Sequence, residues 1–598
     1  MTKLDDLAEE IRNELVETVS KTGGHLASNL GIVELTIAMH LVFDSPRDQF
    51  VWDVGHQVYT HKLLTGRYKD FGTLRQNGGL SGFPNPEESA HDIFAAGHSG
   101  TSISAAYGLS VAKTISGNNS HTVAVIGDGS CTGGLVYEAL NNAGHSNTNL
   151  IVILNDNDMS ISDSVGALAT YLAKIRTNPV YYRAKRTAKE VLKYMPRGEQ
   201  FYDLVDDGLK TVKNKLYRSN FFEDLGFQYM GPLDGHNIHE LVLGLQAAKE
   251  FNTPVLLHIK TVKGKGYYHA EHNPDVFHGI SKFNVATGQP LSSSVTYSDI
   301  FGEKMCEIAE RNQNVCGLTA AMALGTGMTE FAKRFPDRFF DVGIAEEHAV
   351  TFSGGLAAGG KIPVFAVYST FLQRAYDEVV HDVAMQNKKV VLGIDRAGFV
   401  GEDGRSHNGL LDIAFLRSIP GAVIYSPSSF DELRLNLDMA VDEGDGVTAV
   451  RYPRGGEGYV PDKFVPSSEP YSIYGKKTAP VAIVTFGSLY GEAEKAREAL
   501  RAYDIDVKIV KLNRVWPIDD GAVVAAMKAD TILFYEEGIK SGGVGEAYGS
   551  RLMEMKYTGD YAHIAVDNTF VHHASVAYLR EEFGMSADEM VKEILRRV

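Results

Sequence analysis

The sequence predicts an α/β protein of three consecutive α/β domains with mostly parallel sheets, and three observations carry that expectation. Short apolar, β-branched runs recur along the 598-residue chain, separated by stretches of helical periodicity. Glycines mark the turns between them, as in VAVIGDGSCTGG. Two polar, irregular stretches interrupt the alternation: ATGQPLSSSVTYS from Ala286 to Ser298, and a Pro/Ser/Tyr-containing segment from Glu457 to Lys477. The domains expected are 1–290, 291–470 and 471–598.

Taken in order, Leu4, Leu7, Ile11 and Leu15 fall at helical spacing among acidic residues, a pattern unlike a signal or transit peptide. Val123-Ala-Val-Ile reads as a strand, Gly127 and Gly129 permit a tight turn, and Gly134 to Ala143 reads as a helix. Leu150-Ile-Val-Ile-Leu is a second buried strand. Parallel strands joined by a helix bring both ends to one edge, which puts Asp128 beside Asn155, Asp156 and Asn157. Further on, Phe340 to Ile344 reads as a strand and Glu346 as the start of the following helix. Val364-Phe-Ala-Val and Val390-Val-Leu-Gly-Ile are strands of the middle part. VAIVTF, VKIVKL and TILFY are strands of the last, with GEAEKAREALRA as a helix.

Composition narrows the function. With 44% hydrophobic residues the chain can bury several cores. The balance of 58 basic against 75 acidic residues, a formal charge of −17, disfavours nucleic acid or an anionic membrane as partner. No apolar run is long enough to span a bilayer, and a cytoplasmic location is expected. Cys131, Cys306 and Cys316 form no CxxC pair, so neither a disulfide framework nor a structural zinc site is expected. The Lys/Arg/Tyr-rich stretch between Lys174 and Arg218 reads as a solvated, mobile lid over a ligand.

Asp128, Asn157 and a backbone carbonyl near Met159 offer hard oxygens suited to one Mg2+, with a diphosphate filling further positions. The pairing of GDG with LNDNDMSIS resembles the thiamine diphosphate signature of transketolase-like enzymes, and is closer still to the 1-deoxy-D-xylulose-5-phosphate synthase family. The resemblance continues through TGGHLASNLG, WDVGHQ, AAGHSGTSIS, TVKGKGYYHAEHNPDVFHG, FFDVGIAEEHAV, YSTFLQRAYDE, GIDRAGFVGEDGRSHNG and VRYPRGG. It implies a transketolase-like fold, thiamine diphosphate and Mg2+ as cofactors, and a homodimer. It also implies that pyruvate and D-glyceraldehyde 3-phosphate are joined with loss of CO2, feeding isoprenoid and thiamine precursors.

Residue by residue, the resemblance puts Asp128, Gly129, Ser130, Asn157 and Met159 at the metal and diphosphate, with Gly97, His98, Ser99 and Lys263 also holding the cofactor. Lys265 is the fallback if that loop is shifted. Glu346 would hydrogen-bond the aminopyrimidine, and a dry pocket would raise its pKa. Phe371 would stack near the same ring. His25 and His98 would approach the thiazolium and substrate, His278 would face the substrate, and His56 would support the pocket wall. A sugar phosphate calls for Arg forks; Arg396 and Arg454 are assigned to it, with Tyr368, Arg374, Asp403 and His407 around the acceptor hydroxyl and aldehyde. The catalytic set is then Glu346, His25, His98, His407 and Asp403.

Two positions depart from the family pattern: Gly100 replaces a usual Ser, and Glu347 a usual Gln. Any one of these His or Arg residues alone is as readily a packing or solvated side chain. The other readings are a transketolase or 2-oxoacid dehydrogenase component, and a non-catalytic thiamine diphosphate-binding paralogue. SGFP, DRAGFVGEDG and RYPRGG favour the synthase family, and the intact Asp128, Asn157 and Glu346 speak against the paralogue.

Overall fold

Continuous apolar runs become central strands, because a parallel sheet covered by helices on both faces leaves no position for alternating polar residues. The computed structural model describes residues 2–157, 167, 171, 220–292 and 294–598. Met159 and the expected lid between Lys174 and Arg218 lie outside the described residues. The chain divides into two compact units, the first formed by Met1–Leu15, Leu26–Tyr68 and Phe83–Phe277, the second by Val16–His25, Lys69–Gly82 and His278–Val598.

The first unit holds β1 (Gln49–Trp52), β2 (Thr122–Gly127), β3 (Leu150–Asp156), β4 (Gln228–Asp234) and β5 (Val255–Lys260), all parallel, in the order β1-β2-β3-β5-β4. Every residue of β3 is buried. Helices Ser102–Ile115 and Gly134–Ala143 press Ile103, Ala106, Val136 and Leu140 onto the face formed by Ala124, Ile126, Val152 and Leu154. With β2 and β3 parallel and Gly127 opposite Asn155, both strands end on one edge.

The second unit contains β6 (Val315–Thr319), β7 (Phe339–Asp341), β8 (Ile362–Tyr368), β9 (Val390–Asp395), β10 (Val423–Tyr425), β11 (Val447–Arg451), β12 (Tyr471–Tyr474), β13 (Val481–Thr485), β14 (Val507–Leu512), β15 (Arg514–Trp516), β16 (Thr531–Ile539) and β17 (Asp560–Val566). They form a seven-stranded sheet, β15-β10-β11-β9-β8-β6-β7, and a five-stranded sheet, β12-β14-β13-β16-β17. Only β15 and β12 run antiparallel to their neighbours. The mostly parallel α/β architecture expected from sequence is the one observed.

In the larger sheet β6 and β8 are neighbours, and the connection from β6 goes to β7 on one side while that from β8 goes to β9 on the other. Ligands of open α/β sheets bind outside the carboxyl ends of strands at such a switch point. Glu346 and Arg396 follow β7 and β9, and Tyr368 is the last residue of β8, so all three lie toward the carboxyl ends of these strands.

Three expected segments differ in extent. The strand expected over Phe340 to Ile344 ends at Asp341, because its carboxylate accepts the amides of Ala321 and Gly343 at 2.8 and 3.0 Å and Gly343 turns away at φ +75°. The stretch from Glu457 to Lys477 is not wholly irregular, since Tyr471 to Tyr474 pairs with β14. The first stretch also ends early: Thr296 and Asp299 make a reciprocal capping box that starts helix Tyr297–Arg311.

Candidate active site

In the first unit, Asp128 directly follows β2 and precedes a short 3-10 turn, Gly129–Thr132, with Ser130 buried. Its amide donates to the Asn155 carbonyl at 3.2 Å, and Asn157 follows β3 on the same edge. Among the described residues no cluster of three or more His, Cys, Asp or Glu is placed to hold a metal. Lys263 is buried, and that burial lowers its pKa against the opposing pull of Asp275 and Asp128. Its loop is clamped. The Val262 amide donates to His236 Nε2 at 2.8 Å, and His236 Nδ1 meets Glu34 Oε2 at 3.1 Å. Arg12 bridges Glu34, at 2.6 Å, and the Lys265 carbonyl, at 3.1 Å. Lys265 contributes its backbone carbonyl to this support.

The segment carrying Gly97, His98 and Ser99 is anchored by a residue that sequence reasoning passed over. Asp53 is buried, and its carboxylate accepts the amides of Gly100 at 2.9 Å and Ser102 at 3.1 Å. Gly100 sits at φ +78°, a region in which a serine is strained, so the departure from the family pattern matches the backbone here. His56 Nε2 lies 3.0 Å from Ser28 Oγ, in keeping with a supporting position.

The second unit gathers His25, His278, Glu346, Tyr368, Phe371, Arg374, Arg396, Asp403, His407 and Arg454. Glu346 opens helix Glu346–Ala358 and is 2% exposed. Its Oε2 is buried and has no hydrogen-bond partner among the described residues, with Arg374 Nη1 at 3.8 Å. Burial drives the carboxyl up to about 7, opposed chiefly by the Arg374 charge and assisted by Glu347.

Asp403 receives Arg75 Nη2 at 2.6 Å, with Arg454 at 3.8 Å. Burial alone would raise its carboxyl, but Arg75 and Arg454 outweigh that and hold it well below the usual carboxylate range. Arg75 was also missed from sequence; its φ of +62° in the turn before Gly78-Gly79 is stabilised by its amide donating to the Leu80 carbonyl at 2.6 Å. Burial keeps His25 neutral, pushed down to about 3, and lowers His407 as well. The edge of His278 meets the His25 ring at 5.7 Å between centroids.

A continuous aromatic path links this acid-base cluster to the arginines. His407 packs edge-on to Phe371 at 5.6 Å, Phe371 stacks on Tyr368 at 5.6 Å, and the Arg396 guanidinium lies 3.9 Å above the Tyr368 ring. Arg454 meets Glu402 at 3.0 Å and the Val400 carbonyl at 2.9 Å.

Whether these residues fit thiamine diphosphate is tested by Glu346 Oε2: on a dry, protonatable carboxyl, an oxygen that meets no donor among the described residues is what an aminopyrimidine nitrogen requires. A parallel-sheet edge bearing Asp128 and Asn157, and a switch point bearing Glu346, define a transketolase-like thiamine diphosphate enzyme. Three family models agree: 1-deoxy-D-xylulose-5-phosphate synthase over residues 1–261, the transketolase pyrimidine binding domain over 293–456, and the transketolase C-terminal domain over 474–590. The curated 1-deoxy-D-xylulose-5-phosphate synthase of Pelotomaculum thermopropionicum is 47% identical, covering 100% of this chain and 94% of its own. That of Symbiobacterium thermophilum is 47% identical over 98% of this chain and 91% of its own. The solved transketolase of Campylobacter jejuni is 17% identical at a TM-score of 0.44, covering 100% of each chain. The chain belongs to the 1-deoxy-D-xylulose-5-phosphate synthase family.

Proposed function

We propose that this chain decarboxylates pyruvate and joins the remaining two carbons to D-glyceraldehyde 3-phosphate, giving 1-deoxy-D-xylulose 5-phosphate and CO2. The observation that carries the reading is the buried Glu346 carboxyl, poised near neutrality and open on Oε2. Thiamine diphosphate, when bound, supplies the nucleophilic carbon and the electron sink. Asp128, Asn157 and the Met159 carbonyl would hold Mg2+. Gly129, Ser130, Lys263 and the Gly97-His98-Ser99 segment would hold the diphosphate.

The chain's own residues do the rest. Glu346 can hold a proton at Oε2 and would share it with the cofactor's aminopyrimidine, a task for which a pKa near the working pH is best suited; Phe371 would stack near that ring. His25, kept neutral, can donate to a substrate oxygen or accept its proton, with His278 beside it. Asp403, held ionised, orients the acceptor hydroxyl while His407 handles the aldehyde oxygen's proton. Arg374 and Tyr368 line the acceptor, and Arg396 and Arg454 take its phosphate. Phe371 and Tyr368, partly buried against the core of this unit, would help keep water from the reacting carbons.

The reading extends to Mg2+ as the metal, a cytoplasmic homodimer, domain limits near 290 and 470, and a supply of isoprenoid and thiamine precursors. No helix among the described residues is long and apolar enough to cross a membrane. The test is pyruvate turnover by purified protein with thiamine diphosphate and Mg2+, with and without D-glyceraldehyde 3-phosphate, the product identified by mass. Deoxyxylulose phosphate is expected. Acetaldehyde or acetolactate formed regardless of acceptor would overturn the acceptor site, and no turnover with cofactor bound would overturn the activity.

A further inference from the structure

Arg396 is held in a way that its assigned role does not by itself require. It directly follows β9 and adopts φ +57°, a backbone conformation that side-chain-bearing residues seldom take unless their surroundings enforce it. The enforcing residue is its neighbour. Asp395 is fully buried at the last position of β9. Its Oδ1 accepts the Arg396 amide at 2.7 Å, and its Oδ2 meets Arg396 Nη1, also at 2.7 Å. One carboxylate therefore grips the same residue at both ends, main chain and guanidinium.

Ser298 completes the grip from another element. Its Oγ donates to Asp395 Oδ2 at 2.7 Å and accepts from Arg396 Nη1 at 3.2 Å, and Nη1 also donates to the Gly325 carbonyl at 2.7 Å. The Tyr368 ring closes the lower face of the guanidinium. All inward contacts thus fall on one nitrogen, Nη1. Among the described residues Nε and Nη2 make no hydrogen bond, and neither is a sealed, unpartnered atom. They present a flat two-donor edge outward, the geometry that matches two oxygens of a phosphate.

We infer that Asp395, seconded by Ser298, is a positioning residue that locks Arg396 so that its Nε/Nη2 edge reads the acceptor's phosphate, and that this pair sets the preference for a phosphorylated over a plain aldehyde. The inference rests on the reading of Arg396 as a phosphate ligand. The Asp395 charge has a second consequence: it balances the guanidinium when no acceptor is bound, so the cation tolerates its dry setting without drawing in a counter-ion.

The test compares D-glyceraldehyde 3-phosphate with D-glyceraldehyde as acceptors in the full-length enzyme loaded with thiamine diphosphate and Mg2+, for the parent, Asp395→Asn, Ser298→Ala and Arg396→Lys. In Asp395→Asn the kcat/KM preference for the phosphorylated acceptor should fall about tenfold or more, chiefly through KM, as expected when a charged hydrogen bond that fixes the fork is lost. Ser298→Ala, which leaves both charges in place, should shift the preference in the same direction by a smaller factor. An unchanged preference in both variants, with Arg396→Lys losing it, would overturn the role of Asp395 while leaving Arg396 as the phosphate ligand. An unchanged preference in Arg396→Lys as well would overturn the reading of Arg396 itself. If Asp395→Asn does not fold, the Ser298→Ala result decides alone: a preference equal to the parent's rejects the inference.

Discussion

At the scale of single residues, the site is governed by what burial does to charge. Glu346 keeps its proton up to about pH 7 in the folded chain, against an ordinary value of 4.5 when exposed. The folded state therefore binds more protons than the unfolded state between these values, and stability falls as pH rises through that window. The linked free energy is roughly 3 kcal/mol. Glu346→Gln has no proton to lose, so its stability relative to the parent should rise by about that amount between pH 4.5 and pH 8. Denaturant midpoints of the cofactor-free proteins check this, and parallel pH profiles for the two would contradict it. The same variant should lose about 10²- to 10⁴-fold in turnover, the usual range for a positioned proton-transfer group. Its Mg2+-dependent diphosphate binding, followed by fluorescence titration, should stay within a few fold. Asp403 makes the opposite case: its charge is favoured because Arg75 and Arg454 face it. Removing Arg75 as Arg75→Met strands that carboxylate and should cost about 3 kcal/mol of stability at pH 7, a loss that thermal unfolding would register.

At the scale of elements, strand ends supply the functional groups and small supporting networks aim them. Lys263 is one residue from Gly264, whose φ of +79° and close approach to the Ala270 backbone, 2.4 Å from an ideal Cβ, admit no side chain. Gly264→Ala should therefore displace the Lys263 loop and weaken thiamine diphosphate binding about tenfold or more, the worth of one charge-assisted phosphate contact. Equilibrium dialysis against the cofactor measures this; unaltered affinity would place the diphosphate elsewhere. Arg12, Glu34 and His236 hold the same loop from outside, and none of them stands near it in sequence.

At the scale of the whole chain, the last third is tied to the middle third by more than covalent linkage. β15 pairs antiparallel with β10 at the edge of the larger sheet, and buried Lys511 on β14 meets buried Glu432 at 2.6 Å. The two parts should unfold together. The chain has only two tryptophans, Trp52 in β1 and Trp516 in β15. In a Trp52→Phe variant, Trp516 emission should share its denaturant midpoint with hydrogen exchange at β9, and an earlier Trp516 transition would show that the last part melts independently.

What could be read from the sequence was whatever local chemistry dictates. Apolar runs specify buried strands, glycine turns follow them, and the parallel arrangement delivers Asp128 with Asn157, and Glu346 with Tyr368 and Arg396, to strand ends. The motif segments belonged to this local class, and so did the polar stretches around 290 and 460, apart from β12, whose partner strand lies far along the chain. Residues whose importance comes from a distant partner were not legible. Arg75 looks like any loop arginine until Asp403 closes on it, and Asp53 like a strand-end acid until Gly100 and Ser102 donate to it. The sequence by itself determined the fold class, the cofactor class and the family, because periodicity and motif spacing are properties of neighbouring residues. Only the tertiary structure decided the protonation of Glu346, the charge of Asp403 and the grip of Asp395 on Arg396, because burial and ion pairing depend on which distant side chains exclude water around them.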